Sequence, residues 1–313
     1  MEQRGGGDTQ VQDSTGNNKR LWATPSFFNT TSFVDYNYQL MTVPQLVAVT
    51  QHSTVHKSYS RVFGRFVAIK IIDKKSIPSF LVEKFLPREL EITKRVNHPH
   101  IVHCLHIAQP QPTKVVIIYE FCDGGTLLKY VLDYNGLEEK EAGRLFRQLI
   151  DAVYHLHFEL SVAHRDIKLE NILLDSNKVL KLADFGFARQ TYKAEKSTSY
   201  CGTRPYSSPQ LVNHTPYEPF AADWFACGIA LYTMIAGFWP HKPWEMITYP
   251  VKSTERISHS AKNLIDRLIE NDEEKRADFK ECINSEWLLK HTADGSWIVP
   301  QSTSTIYPNY KAY

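Results

Sequence analysis

Six residues with the means to do chemistry follow one another in a fixed order along this chain. Lys70 lies in "VAIK" (67–70), Glu89 in "PRELEI" (87–92), Asp166, Lys168 and Asn171 in "HRDIKLEN" (164–171), and Asp184 in "DFG" (184–186). A lysine inside an apolar run can meet phosphate oxygens as a point charge. Carboxylate and amide oxygens are the ligands that a hard divalent cation such as magnesium takes. Taken singly, each string is weak. An Asp, Asn or Lys on a loop is usually a solvated turn residue, and a lone helical Glu is usually a surface charge. The order of the four strings, and the strand, helix or loop context of each, give them weight together.

Those residues need elements to hold them. "LVAVT", "RFVAIKII" and "KVVIIYEF" are short β-branched runs bounded by polar residues, and read as strands. Between the last two, "SFLVEKFLPRELEITKRV" (79–96) repeats Leu81, Phe85, Leu86, Leu90 and Ile92 at helical spacing. That spacing predicts one amphipathic helix carrying Glu89, bent at Pro87. Beyond residue 126 helical patterns dominate, as in "EAGRLFRQLIDAVYHLHF" (141–158) and "SAKNLIDRLIEN" (260–271). "NILLD" and "VLKLAD" interrupt them as short strands. The apolar run "FACGIALYTMIAGFW" (225–239) is 15 residues long, short of the ~20 that a membrane span needs, and reads as a buried core helix.

The ordered set resembles the signature of eukaryotic protein kinases over roughly residues 38–291. Within that family, "FLVEKFLPRELEI" (80–92), "VAIKIIDKK" (67–75) and "STSYCGTRPYSSPQL" (197–211) are similar to the testis-specific serine/threonine kinases of the calcium/calmodulin-dependent group. The resemblance implies an α+β bilobal protein kinase fold. A flexible arm (1–37) would precede a small β-rich N-lobe with one main helix (38–121). A larger, mostly α-helical C-lobe (122–291) and a tail (292–313) would follow. The implied activity is transfer of the γ-phosphoryl group of ATP, with Mg2+, to Ser or Thr of a protein substrate.

In that resemblance, catalysis is mainly positioning and charge neutralisation. Lys70 would grip the α- and β-phosphates, and Glu89 would hold Lys70 by a charge-assisted contact. Asp184 and Asn171 would hold the metal. Asp166 would accept the proton of the substrate hydroxyl, and Lys168 would steady the γ-phosphate. Thr203 stands where the serine/threonine branch keeps a threonine near the catalytic Asp. Val55, Ala68 and Leu173 would sandwich adenine, the backbone of Glu120–Cys122 would meet its edge, and Tyr119 would close the back of the pocket. Asp223 resembles the buried Asp that anchors the catalytic loop. Arg165, next to Asp166, implies an activation loop ordered by phosphorylation from an upstream activating kinase. Ser199 aligns best with the phosphosite, with Thr198 and Ser197 as alternates.

Four departures from the family pattern stand beside this. The glycine positions before Val55 fall on Ala48, Thr50 and Ser53, so "AVTQHSTV" (48–55) has no glycine. Glycine serves there because backbone can approach phosphate closely and adopt unusual dihedrals. "SPQ" (208–210) replaces Ala-Pro-Glu, so Gln210 faces Arg276 without a charge pair. Thr93 replaces an aliphatic packing residue. Residues 240–265 are shorter than the family segment. These features support an alternative: a pseudokinase scaffold that binds partners, with or without nucleotide, and does not turn over.

The bulk composition bounds the partners. The chain has 313 residues, 42% hydrophobic, with a formal net charge of +2. That balance predicts neither nucleic-acid binding nor membrane attachment. Five scattered cysteines with no Cys-x-x-Cys pair suit a reducing compartment, the cytoplasm or nucleus. The polar opening "MEQRGGGDTQ" does not read as a signal peptide. "NHPHIVHCLH" (97–106) carries four histidines and a cysteine, but its likeness to an ordinary kinase loop argues against zinc.

Overall fold

The computed structural model describes residues 37–50, 52–241 and 254–292, with Val34 and the short strand pair Val11–Gln12 and Asn18–Lys19. Most of the arm over 1–37, the hairpin residue Gln51, positions 242–253 of the shortened segment and the tail after 292 lie outside the described residues. The chain divides into two compact units, residues 1–77 with 106–119 and residues 78–105 with 120–313.

The first unit is built on a five-stranded sheet. Its strands are β1 (Gln45–Val49), β2 (Ser53–Ser60), β3 (Arg65–Asp73), β4 (Cys104–Gln111) and β5 (Lys114–Glu120), in the order β1-β2-β3-β5-β4. β1, β2 and β3 pair antiparallel, which sets Val55 opposite Lys70. Side chains alternate along a strand. Val67, Ile69 and Val115–Ile118 are buried. Ala68 and Lys70 therefore share the other face of β3, half-buried. β1 is the edge strand and all of its residues are exposed.

The second unit begins with two helices, α1 (Ser79–Lys84) and α2 (Leu86–Arg95). The sequence spacing predicts a single helix bent at Pro87. The break falls instead at Phe85, and Pro87 sits in the first turn of α2. The first-turn N–H groups of a helix have no intrahelical partner, so a proline there forfeits nothing. Ile92 of α2, with Val96 and Ile101 beyond it, joins the core of the second unit.

That core wraps α6 (Pro219–Ala236), in which every residue but Phe220 is buried. The helix is long and apolar enough to cross a membrane by composition, yet 94% of it is buried inside the protein. Around it lie α3 (Leu127–Asp133), α4 (Glu139–Tyr154), α5 (Pro209–Val212), α7 (His259–Leu268), α8 (Phe279–Ile283) and α9 (Glu286–Thr292). α6 and α7 approach closely at Gly228. A Cβ there would lie 2.7 Å from Leu268 Cβ, so only glycine fits. Short strands carry the loops between helices. β8 (Ile172–Leu174) pairs with β9 (Leu180–Leu182) and with β6 (Gly125–Thr126), while β7 (Val162–Ala163) pairs with β10 (Arg189–Gln190).

Candidate active site

Asp166 lies on the loop between β7 and β8, almost fully buried, and three side chains fix its carboxylate. Lys168 Nζ donates to Oδ2 at 2.7 Å, Asn171 Nδ2 to Oδ2 at 2.9 Å, and Thr203 Oγ1 to Oδ1 at 2.8 Å. Lys168 Nζ also reaches Thr203 Oγ1 at 2.7 Å. Thr203 arrives from the following segment, 37 residues away. It can do so because Gly202 crosses the loop at φ 107, where a Cβ would lie 2.8 Å from Arg165 O. An acceptor carboxylate, an ammonium group and a carboxamide thus converge within hydrogen-bond reach.

The loop is hung from α6. Asp223, in its first turns, is buried and accepts the backbone N–H of His164 at 2.7 Å and of Arg165 at 2.8 Å. Its Oδ2 also meets His157 Nε2 at 2.9 Å. A carboxylate that accepts several N–H donors in a low-dielectric interior is a rigid anchor. It holds Arg165 at φ 65, a left-handed conformation unusual for arginine. Asp184 shares that conformation at φ 66 and is exposed. His164 joins the two loops. Its Nδ1 accepts the Asp166 N–H at 3.3 Å and its Nε2 donates to Ala183 O at 3.1 Å, with its ring against Phe185.

Glu89 lies in the first turn of α2, buried. A Cβ on Gly186 would come 3.5 Å from Asp184 Oδ1 and 3.9 Å from Glu89 Oε2, so the glutamate sits beside "DFG". Leu173 is on β8, half-buried. Glu120 receives Lys181 Nζ at 2.9 Å and the His103 N–H at 2.8 Å, which fixes the segment leading to Cys122. Burial pushes the Cys122 thiol up to about 12, so it stays protonated. In the first unit, Lys70, Ala68 and Val55 are placed by the β2–β3 register.

Side-chain contacts tie down the segment that follows "DFG". Arg165 Nε donates to Phe187 O at 2.8 Å, and its Nη1 lies 3.5 Å from Ser199 O and from Tyr217 OH. Arg189 pairs with Glu195 at 2.6 Å. Ser197 is buried and Ser199 half-buried, while Thr198 is exposed.

The substitution at Gln210 is accommodated. Arg276 donates to Glu270 O at 2.9 Å, Ala221 O at 2.8 Å, Gln210 Oε1 at 3.2 Å and Asn271 O at 3.4 Å. The guanidinium that lacks a charge pair with Gln210 is therefore satisfied by hydrogen bonds. Burial, opposed by the nearby Glu273, Glu270, Glu218 and Asp272 carboxylates, still lowers its pKa to about 10. Thr93 is different: its hydroxyl is buried and has no hydrogen-bond partner among the described residues.

The donor set fits a hard divalent cation. Asn171 uses its N–H groups on Asp166 O and Oδ2, which leaves its carbonyl oxygen as a ligand. Asp184 supplies a carboxylate on an exposed loop. Magnesium characteristically takes one or two protein oxygens and completes its shell with phosphates and water. Among the described residues, no three His, Cys, Asp or Glu are grouped to hold a metal by themselves. The histidines of 97–106 have other neighbours: His98 stacks on His155 and packs edge-on against His100.

Sequence reasoning missed several contributors. His157 meets Asp223 across 66 residues and Tyr217 meets Arg165 across 52, while Arg189 meets Glu195 only 6 residues on, and no sequence pattern marks any of them.

The protein kinase domain family matches residues 50–288. The chain belongs to the protein kinase family. It is 33% identical over 253 residues to testis-specific serine/threonine-protein kinase 1 of Mus musculus, covering 76% of this chain and 68% of that protein. It is 32% identical over 268 residues to testis-specific serine/threonine-protein kinase 4 of Homo sapiens, covering 75% and 80%. It is 35% identical over 238 residues to CBL-interacting protein kinase 8 of Oryza sativa subsp. japonica, covering 73% and 52%. As a member of this family the chain is a protein kinase, built to use ATP and a divalent metal on protein substrates.

Proposed function

We propose that this chain transfers the γ-phosphoryl group of ATP, with Mg2+, to serine or threonine of a protein substrate. The observation that carries the reading is the Asp166 cluster: a buried carboxylate held by Lys168, Asn171 and Thr203 at 2.7–2.9 Å. Bound Mg–ATP would supply the transferred group and the charge that stabilises its departure. The chain's own residues do the rest. Lys70 meets the α- and β-phosphates, and Glu89 orients Lys70. Asp184 and Asn171 hold the metal. Asp166 Oδ accepts the proton of the substrate hydroxyl, while Thr203 and Asn171 fix the direction in which that oxygen points. Lys168 bridges Asp166 and the γ-phosphate. Val55, Ala68 and Leu173 take the adenine faces, and the backbone of Glu120–Cys122 takes its edge. Thr198 and Ser199 are the phosphosites available to an upstream kinase, since Ser197 is buried.

With Gln210 accommodated, the scaffold reading rests on the glycine-free β1–β2 hairpin, the unpartnered Thr93 hydroxyl and the shortened segment over 240–265. Transfer of radiolabelled γ-phosphate to a basic protein substrate separates the two, with wild type and Asp166→Asn run side by side, first with Mg2+ and then with Mn2+. The expected result is transfer by wild type and a loss of at least about a hundredfold in Asp166→Asn. Equal activity in both would assign the signal to a contaminant. No transfer by either folded protein would establish the scaffold.

A further inference from the structure

The tip of the β1–β2 hairpin is closed by one side chain. The Thr50 N–H donates to Ser53 O at 2.8 Å. The Thr50 hydroxyl oxygen accepts the Ser53 N–H at 3.0 Å and the His52 N–H at 3.3 Å, and lies 2.9 Å from Ser53 Oγ. The His52 carbonyl is held in turn by the Asp73 N–H at 3.1 Å. Ser53 is buried, whereas Thr50 is exposed. Two backbone donors at the tip therefore point at the turn's own side chain.

We propose that the Thr50 hydroxyl caps the His52 and Ser53 amides and thereby limits how tightly this chain holds the phosphates of ATP. The inference rests on the reading above, in which Lys70, paired with Val55 of this hairpin, meets the nucleotide phosphates. A backbone loop binds phosphate through N–H groups that converge on it. Here two such donors are already satisfied, so a phosphate oxygen must displace Thr50 Oγ1 to reach them. The exchange trades a neutral hydrogen bond for a charge-assisted one but also opens the turn, so its net gain is small. Thr50 stands at one of the positions where the family keeps glycine, and glycine has no side chain with which to cap these amides. Thr50 is thus a positioning residue: it orders the tip and lowers triphosphate affinity, with no effect on how adenosine is held.

Calorimetric binding of adenosine and of Mg–ATP to the full chain tests this directly. Thr50→Val keeps the volume and removes the acceptor; Thr50→Gly removes both; Thr50→Ser keeps the acceptor. Thr50→Val and Thr50→Gly are expected to bind Mg–ATP about fivefold to tenfold more tightly, with adenosine unchanged and Thr50→Ser matching wild type. An unchanged or weakened ATP-to-adenosine preference in both Val and Gly variants overturns the inference, as does an equal gain in Thr50→Ser. Lys70→Met in the same assay tests the underlying reading separately. If Lys70→Met loses ATP relative to adenosine while the Thr50 variants match wild type, only the Thr50 inference falls. If Lys70→Met leaves that preference untouched, the nucleotide-phosphate reading falls with it.

Discussion

At the scale of the residue, Asp223 bears more of the site than any group that would touch substrate. It is buried, it accepts two consecutive backbone N–H groups, and it contacts His157. Removing one partner of a buried hydrogen-bonded charge leaves the others unsatisfied, at about 1–3 kcal/mol each. Asp223→Ala is therefore expected to lose about 3–5 kcal/mol of stability. Asp223→Asn, which keeps one acceptor oxygen but turns an NH2 toward a second amide, loses about half of that. Urea denaturation of both variants measures the difference. Phosphoryl transfer should fall further than stability does, because the Arg165 N–H, held at φ 65 next to Asp166, rests on that carboxylate. A loss below about 1 kcal/mol in Asp223→Ala would mean that the two amides find other acceptors and that the loop is held elsewhere.

At the scale of the element, the join between α2 and β4 carries a second burden, two half-buried histidines. Burial, with the nearby charges of His155 and Lys181, holds His98 down to about 3. Burial, opposed by a hydrogen bond to Leu180 O and reinforced by Lys181, Arg144 and Arg147, holds His100 to about 4. In the unfolded chain both titrate near 6.5. Above that pH neither is charged in either state, and they contribute nothing to the pH dependence. As pH falls below 6.5 the unfolded chain binds protons that the folded chain refuses, so stability is lost down to the folded pKa values. The scale is on the order of 1.4 kcal/mol for each pH unit separating folded from unfolded pKa. The double variant His98→Gln/His100→Gln should lose stability less steeply than wild type between pH 6.5 and 4. Parallel slopes in urea titrations over that range would refute the assignment.

The same scale shows what the sequence could reveal. The strands of "RFVAIKII" and "KVVIIYEF" and the buried helix after Glu218 were legible because period and composition are local signals. The break at Phe85 was not: helical periodicity runs straight through it, and Pro87 is as compatible with a helix start as with a bend. Within the candidate site, the Asp166, Lys168 and Asn171 grouping was legible because those residues share one short string. The contact of His157 with Asp223 spans 66 residues and leaves no trace in spacing. Nor could the sequence show that three backbone carbonyls would satisfy Arg276 alongside Gln210. Two of them, Glu270 and Asn271, lie on the loop after α7 and the third, Ala221, on α6, and only tertiary packing brings them together.

At the scale of the whole molecule, the question is whether this chain, with a hairpin free of glycine, still stabilises itself on nucleotide. A ligand that binds the folded state and not the unfolded one raises stability by mass action, about 2.7 kcal/mol when present at a hundred times its Kd. For a domain of this size each kcal/mol moves the melting temperature by roughly 2 °C. The intact charges of Lys70 and Asp184, with the Asn171 carboxamide, predict a rise of several degrees at millimolar Mg–ATP. The capped tip predicts that micromolar ATP produces almost none. Asp184→Asn should remove most of the magnesium-dependent part while leaving the smaller response to adenosine, because that carboxylate is assigned to the metal and not to the base. Melting curves of wild type and Asp184→Asn, with ATP in the presence of Mg2+ and of a chelator, provide the comparison. A wild-type melting temperature unmoved by millimolar Mg–ATP would argue that the fold persists here without its nucleotide, and would redirect attention from Asp166 to the surfaces on which a partner could dock.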